Sequence, residues 1–359
     1  MPNAKSGAGT IDKMTELLTP TRLIIRLILC TALLAAVMFV CSLIGTQKIS
    51  LGSVLDGPGI AAGTNIDYDI YVRVRIPRII LAALVGAALA ASGVALQAIL
   101  RNPLAEPYIL GISSGAALGV ITAVLLGAGA RLGAFGAGAS VSAFAFLFAL
   151  GTVWLVWLVG HLAGGSGVTS LLLAGVVVNA FFSAVIMLLT SLIDSQQLRT
   201  TIYWLMGNIG ERDFSTLLTS AIFIVAGILG LFAICQKLNV LTFGTKDAQS
   251  LGVNPRVVTF TAFALASFIT AVAVGLSGLV GFVGLIVPHS VRLVLGPDHR
   301  QLLPASAFVG AAFVVICDTI ARVIIAPAQF PVGVITAVIG GPVFLLLLAR
   351  YSKKVGYQR

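Results

Sequence analysis

From residue 79 to residue 99 the chain carries no charged side chain, and nine other runs of similar character lie along it. A helix crosses a bilayer core with about 20 consecutive apolar residues. Within hydrocarbon, every backbone N–H and C=O must be satisfied internally, which leaves helices as the economical solution for runs of this kind. The runs fall near 23–45, 79–99, 109–129, 134–160, 168–193, 214–235, 257–276, 279–295, 302–326 and 333–349. The expected fold class is therefore an all-α polytopic membrane protein of about ten transmembrane helices. Charge bears this out: 9% of residues are charged, against roughly 25% in a soluble domain. The 39 glycines suit helices that must approach closely in a membrane. The eighth run is short and holds Pro288, His289 and Arg292.

The run at 23–45 exceeds the roughly 7–15 apolar residues of a signal-peptide core and reads as a retained first helix. Residues 1–22 form an N-terminal segment, 23–350 the ten-helix domain and 351–359 a tail. Lysine and arginine set orientation. With the N-terminus placed inside, the larger share of the 22 basic residues falls in cytoplasmic segments, so both termini are expected there. Arg73, Arg75 and Arg78 cluster on the outer side, against that bias. Two readings are open for them: an acidic partner outside, or a solvated turn before a helix. The net charge of +10 is spread over loops and ends with no basic stripe, which argues against nucleic acid.

Between the second and third runs stands Arg101-Asn-Pro-Leu-Ala-Glu-Pro107, a stiff polar break. Proline ends a helix and pushes the residue before it out of the helical region. Residues 236–255, on the inner side, are long for a plain connector and read as one or two short helices that dock something. In the fifth run Asn179, Ser183 and Thr190 share a helical face. Such a stripe lines a polar path or acts as interhelical glue. Asp318 and Arg322, at i and i+4, are placed to pair along the ninth helix. Cys30, Cys41, Cys235 and Cys317 all sit in apolar runs and read as small core hydrophobes. No two histidines have metal-ligand spacing, so no metal site is assigned. No G-x-x-x-x-G-K-[ST] string is present, so the chain is not expected to cradle ATP itself. Gly275-Leu-Ser-Gly278 matches a serine-protease string, but His289, the conceivable base, lies most of a span away; no catalytic residue is assigned.

The chain resembles the permease subunit of type II ABC importers, the FecCD/BtuC-like group that imports iron-siderophores, haem and cobalamin. The strings that carry the resemblance are Arg75-Ile-Pro-Arg78, Leu84-Val-Gly-Ala-Ala-Leu-Ala-Ala-Ser-Gly93, Gln97, Asn102-Pro-Leu-Ala-Glu-Pro107, Leu171-Leu-Leu-Ala-Gly175, Tyr203-Trp-Leu-Met-Gly207, Leu251-Gly252, Gly281-Phe-Val-Gly-Leu-Ile-Val-Pro-His289 and Pro331-Val-Gly333. The resemblance implies a BtuC-like permease fold and a homodimer with the path between its subunits. It further implies two cytoplasmic ATPase subunits, a periplasmic binding protein, a metal-chelate ligand, and a bacterial or archaeal inner membrane. ATP and Mg would belong to the ATPase partners, with no cofactor in this chain. Asn102 and Leu104 match a cytoplasmic gate, and Gly167 and Val168 a second gate where some members carry small hydroxyl residues. Arg75, Arg78 and Arg322 match arginines that pair with acidic residues of the binding protein. Within 236–255, Thr245, Lys246, Asp247, Ala248, Leu251 and Gly252 match the coupling helices that seat on the ATPase; Thr245 and Lys246 stand where members are often acidic. The rival reading is an ion-gradient-driven secondary transporter, which the scarcity of buried carboxylates disfavours.

Overall fold

The computed structural model describes residues 19–58, 65–127, 136–162, 168–210 and 212–356. Each expected run forms a helix: α1 Pro20–Leu43, α2 Ile76–Ile99, α3 Ile112–Leu125, α4 Gly136–Leu162, α5 Val168–Thr190, α6 Phe214–Ala233, α7 Pro255–Ser277, α8 Val283–Leu295, α9 His299–Val323 and α10 Val332–Gly356. Among the described residues seven helices are long and apolar enough to cross a membrane, α2 being counted there with the turns that lead into it; α3, α8 and the apolar part of α10 are shorter.

Helix α2 is the axis of the bundle. It packs against α9, α7, α8 and α6, and its residues from Ala88 to Leu100 are all buried. Its sequence explains this position. A Cβ at Gly86 would collide with the backbone of Gly310 in α9, and one at Gly93 with the backbone of Gly284 in α8. The two glycines sit seven residues apart, so they share a face, and that face admits two neighbouring backbones at contact distance. Ser92 on α2 donates to Ala88 O at 2.8 Å and Ala266 O of α7 at 2.9 Å, which keeps its hydroxyl satisfied in the core. By contrast, α1 lies on the periphery with its apolar side chains largely exposed, as a lipid-facing helix does.

The ends of the bundle are named here by Arg78 and Arg101. At the Arg78 end, α2 is entered through a π-helical stretch, Asp69–Arg75, in which Asp69 and Arg73 pair at 3.0 Å. An amphipathic helix, Ser195–Leu205, also lies among the loops. Asp194 caps it, accepting the amides of Gln196 and Gln197 at 2.9 Å. At the Arg101 end stand two short helices, Cys235–Thr242 and Thr245–Ser250, within the segment expected to hold one or two. Gly244 (φ 135°) and Gly252 (φ 76°) bracket the second, both in backbone regions that favour glycine.

Candidate functional site

The break after α2 is a re-entrant segment rather than a surface turn. Helix α2 ends in a Schellman motif: Asn102 N–H donates to Gln97 O at 3.2 Å and Arg101 N–H to Ala98 O at 3.3 Å. Arg101 takes the left-handed position, with φ 47°, where a non-glycine residue costs about 1–2 kcal/mol. The side chain of Asn102 then accepts the Leu104 amide at 2.9 Å, fixing the turn before Pro103 and Leu104. From there the chain climbs back into the bundle. A Cβ on Gly284 would lie 2.8 Å from Pro107 Cδ and 2.9 Å from Leu89 O. Leu89 is about 16 Å along the helix axis from Leu100, at 1.5 Å per residue.

Side chains pin the climbing segment to the loop before α8. Glu106 Oε1 accepts the Phe282 amide at 2.6 Å. The Tyr108 hydroxyl donates to Val280 O at 3.0 Å and accepts Val280 N–H at 2.8 Å. Gln97 joins the parts: its amide nitrogen faces Gly284 O at 3.3 Å, Leu285 O at 3.4 Å and Ala105 O at 3.5 Å, while its oxygen accepts Arg292 Nη2 at 2.9 Å. The expected gate residues Asn102 and Leu104 are both half-buried on this segment. Of the second gate, Gly167 lies outside the described residues, and Val168 opens α5.

On α5, the path stripe spends its hydroxyls on its own helix. Ser183 donates to Asn179 O and Thr190 to Met187 O, each at 2.8 Å. Asn179 and Thr190 are half-buried and Ser183 is exposed, beside exposed Val176, Phe181, Met187 and Leu188. The stripe is therefore not enclosed within one chain.

The three arginines expected to reach a partner each have partners within the chain. Arg75, 4% exposed, donates to Ser42 O at 3.0 Å and Leu43 O at 3.2 Å, and to Gln47 O. It thereby satisfies the carbonyls at the C-terminus of α1, where a cation is favoured. Gly45 leaves the room, since a Cβ there would sit 2.6 Å from the guanidinium. Arg78 grips Asp318 and also donates to Gln329 Oε1 at 2.9 Å. Arg322 donates to Thr319 Oγ1 at 3.1 Å; its Nε lies 3.2 Å from Asp318 but is not aligned for a hydrogen bond. The Asp318–Arg322 pair was legible in the spacing; Arg78 as its third member was not.

Of the coupling residues, Thr245, Lys246, Asp247, Leu251 and Gly252 are exposed. Ala248 is fully buried on the inner face of its helix. Phe243, 74% exposed beside this helix, is an apolar surface residue that the sequence reading did not single out. Ser277 donates to Ala273 O at 2.9 Å and Gly278 O at 3.3 Å, a helix-end role rather than a nucleophile's.

The chain as a whole is similar to known transport proteins. The FecCD transport family profile matches residues 32–350. The hemin transport system permease HmuU of Yersinia pestis is 42% identical over 293 residues, covering 80% of this chain and 85% of that protein. The cobalamin import system permease BtuC of Halobacterium salinarum is 43% identical over 275 residues, covering 77% and 72%. A solved structure described as an inward-facing conformation of a metal-chelate type ABC transporter superposes with a TM-score of 0.78 at 31% identity, covering 90% of this chain and 98% of that one.

Proposed function

The chain belongs to the FecCD transport family, and from that premise we propose that it is the membrane-spanning subunit of an ATP-driven importer for an iron-siderophore or a related metal chelate such as haem or cobalamin. Two copies face each other across α5 and enclose the path. The Arg101 end, with both termini, faces the cytoplasm of a bacterium or archaeon, and the Arg78 end faces the binding protein.

The observation that supports this most is the open face of α5. Polar Asn179 and Ser183 and large apolar side chains share a surface that one chain leaves uncovered. Polar groups at membrane depth face a bundle interior or a water-filled path, and a second copy supplies that interior. At the Arg101 end, exposed Phe243, Lys246 and Leu251 offer an ATPase subunit both apolar and charged contacts. ATP and Mg act on that partner. Docking of the binding protein falls to the surface around Arg75, Arg78 and Arg322, which shape it from within.

Transport follows by alternating access. Ligand enters from the Arg78 end, ATP closure moves Thr245–Ser250, and the re-entrant segments of the two copies part or meet. The gradient-driven alternative finds no support among the relatives, and half-buried Glu106 and buried Asp318 are both held by protein partners. Proteoliposomes carrying the permease with its ATPase and binding protein test the reading. Uptake of a ferric chelate, haem or cobalamin that requires ATP and survives an ionophore supports it. Uptake that persists without ATP and collapses with the ionophore overturns it.

A further inference from the structure

At the Arg101 end a cavity of about 270 Å³ opens between the re-entrant segment, the helix Cys235–Thr242, α8 and the start of α9. Gln97, Arg101, Pro103, Thr242, Arg292 and His299 line it, and among the described residues no carboxylate does. The nearest acid in sequence, Asp298, is committed: Arg300 holds it at 2.6 Å and Asn239 Nδ2 at 2.8 Å. Arg101 is exposed, and its guanidinium has no partner among the described residues. Arg292 gives Nη2 to Gln97. Two cations thus line one concavity, with no counter-charge among the described residues of its wall.

His299 adds a defined polar group. It is 4% exposed. Asn239 Oδ1 meets both its backbone N–H, at 2.8 Å, and its ring Nδ1, at 2.6 Å. The same amide gives its nitrogen to Asp298, so its oxygen accepts and Nδ1 carries the proton. Nε2 is left the unprotonated nitrogen of a ring buried in the wall, with no partner among the described residues.

We propose that this cavity binds a phosphate-type anion, held by the guanidiniums of Arg101 and Arg292 beside the buried imidazole of His299. Guanidinium forks match tetrahedral oxyanions. The ligand would tie the re-entrant segment to the helix Cys235–Thr242, whatever the permease carries. The same chemistry is offered by free phosphate and by the headgroup of an anionic phospholipid.

The purified full-length permease tests this with two probes. In detergent, inorganic phosphate is titrated and thermal stability is read. In nanodiscs of mixed phosphatidylglycerol and phosphatidylcholine, the lipid that stays bound is identified by native mass spectrometry. Saturable stabilisation by phosphate identifies a free anion as the ligand; selective retention of phosphatidylglycerol identifies a headgroup. Arg101→Gln, a change at an exposed side chain, weakens whichever binding is seen by about tenfold or more, as the loss of a charge-assisted hydrogen bond does. Arg292→Gln weakens it too, and should that variant fail to fold, Arg101→Gln decides alone. The site is refuted if neither probe binds saturably, or if Arg101→Gln binds as tightly as the unaltered protein.

Discussion

Arg78 donates Nη2 to one Asp318 carboxylate oxygen at 2.9 Å and Nε to both oxygens at 3.1 Å, joining α2 to α9 across 240 residues of chain. Asp318 is 1% exposed and Arg322 reaches it from the next turn. Removing one member of a buried ion pair strands its partners' charge, at about 3–5 kcal/mol. Asp318→Ala, which strands two guanidiniums, is therefore expected to cost that much. Arg322→Met is expected to cost less, because Arg78 makes the better-aligned bonds. Thermal unfolding in detergent orders the two; equal losses would contradict the geometry.

The glycines of α2 give a second test. A Cβ at Gly93 collides with the Gly284 backbone, whereas Gly151 in α4 has nothing within 4 Å. Gly93→Ala is expected to destabilise by about 1–3 kcal/mol through overpacking. Gly151→Ala is expected to be neutral or to stabilise by up to about 1 kcal/mol through helix propensity. Melting temperatures that move the same way for both would sink the close-approach account.

Much of the fold was legible because apolar runs of span length admit one solution in a membrane. Even the short α8, with Pro288 inside it, fell where the run placed it. The helix Ser195–Leu205 was not read, because it is amphipathic and lies in a loop; Asp194, followed by Gln196 and Gln197, was the available cap signal. The site was less legible. Prolines at 103 and 107 announce a break but not its direction, which is set by Gly284 and Phe282, far along the chain. Likewise, a rule that counts loop arginines treats Arg75 and Arg78 as surface charges. Their partners, the α1 carbonyls and Asp318, come from packing that no local pattern reports.

Tyr108→Phe tests how firmly the re-entrant segment is held. The change leaves Val280 N–H and C=O without their shared hydroxyl, and an unsatisfied buried group costs about 1–3 kcal/mol. Amide hydrogen exchange is expected to speed up at residues 279–282 and 105–110 while α2 keeps its protection. Uniform acceleration throughout the bundle would mean that the tyrosine supports the whole fold rather than this junction.

Asp298 provides a pH test. Burial alone would raise its carboxyl, but hydrogen bonds from Arg300 and Asn239 outweigh that and bring it to about 2. A carboxylate depressed in the folded state contributes stability that is fully present above its ordinary value near 3.9. That contribution is lost as pH falls from there through about 2. Asp298→Asn retains an N-cap for α9 and removes the titration. Between about pH 5 and about pH 2.5 the unaltered protein is expected to lose more melting temperature than Asp298→Asn. Parallel losses would show that this carboxylate contributes nothing to the acid response.

The central structural claim is that the re-entrant segment, held by Glu106 and Tyr108, is a gate that two copies share. Disulfide cross-linking of Leu104→Cys, in a background lacking the four native cysteines and with the ATPase partner bound, tests it most directly. The account predicts cross-linking between protomers in one nucleotide state and its loss in the other. A thiol that stays unlinked in every state, or links equally in all of them, would contradict the claim and leave the segment a fixed turn.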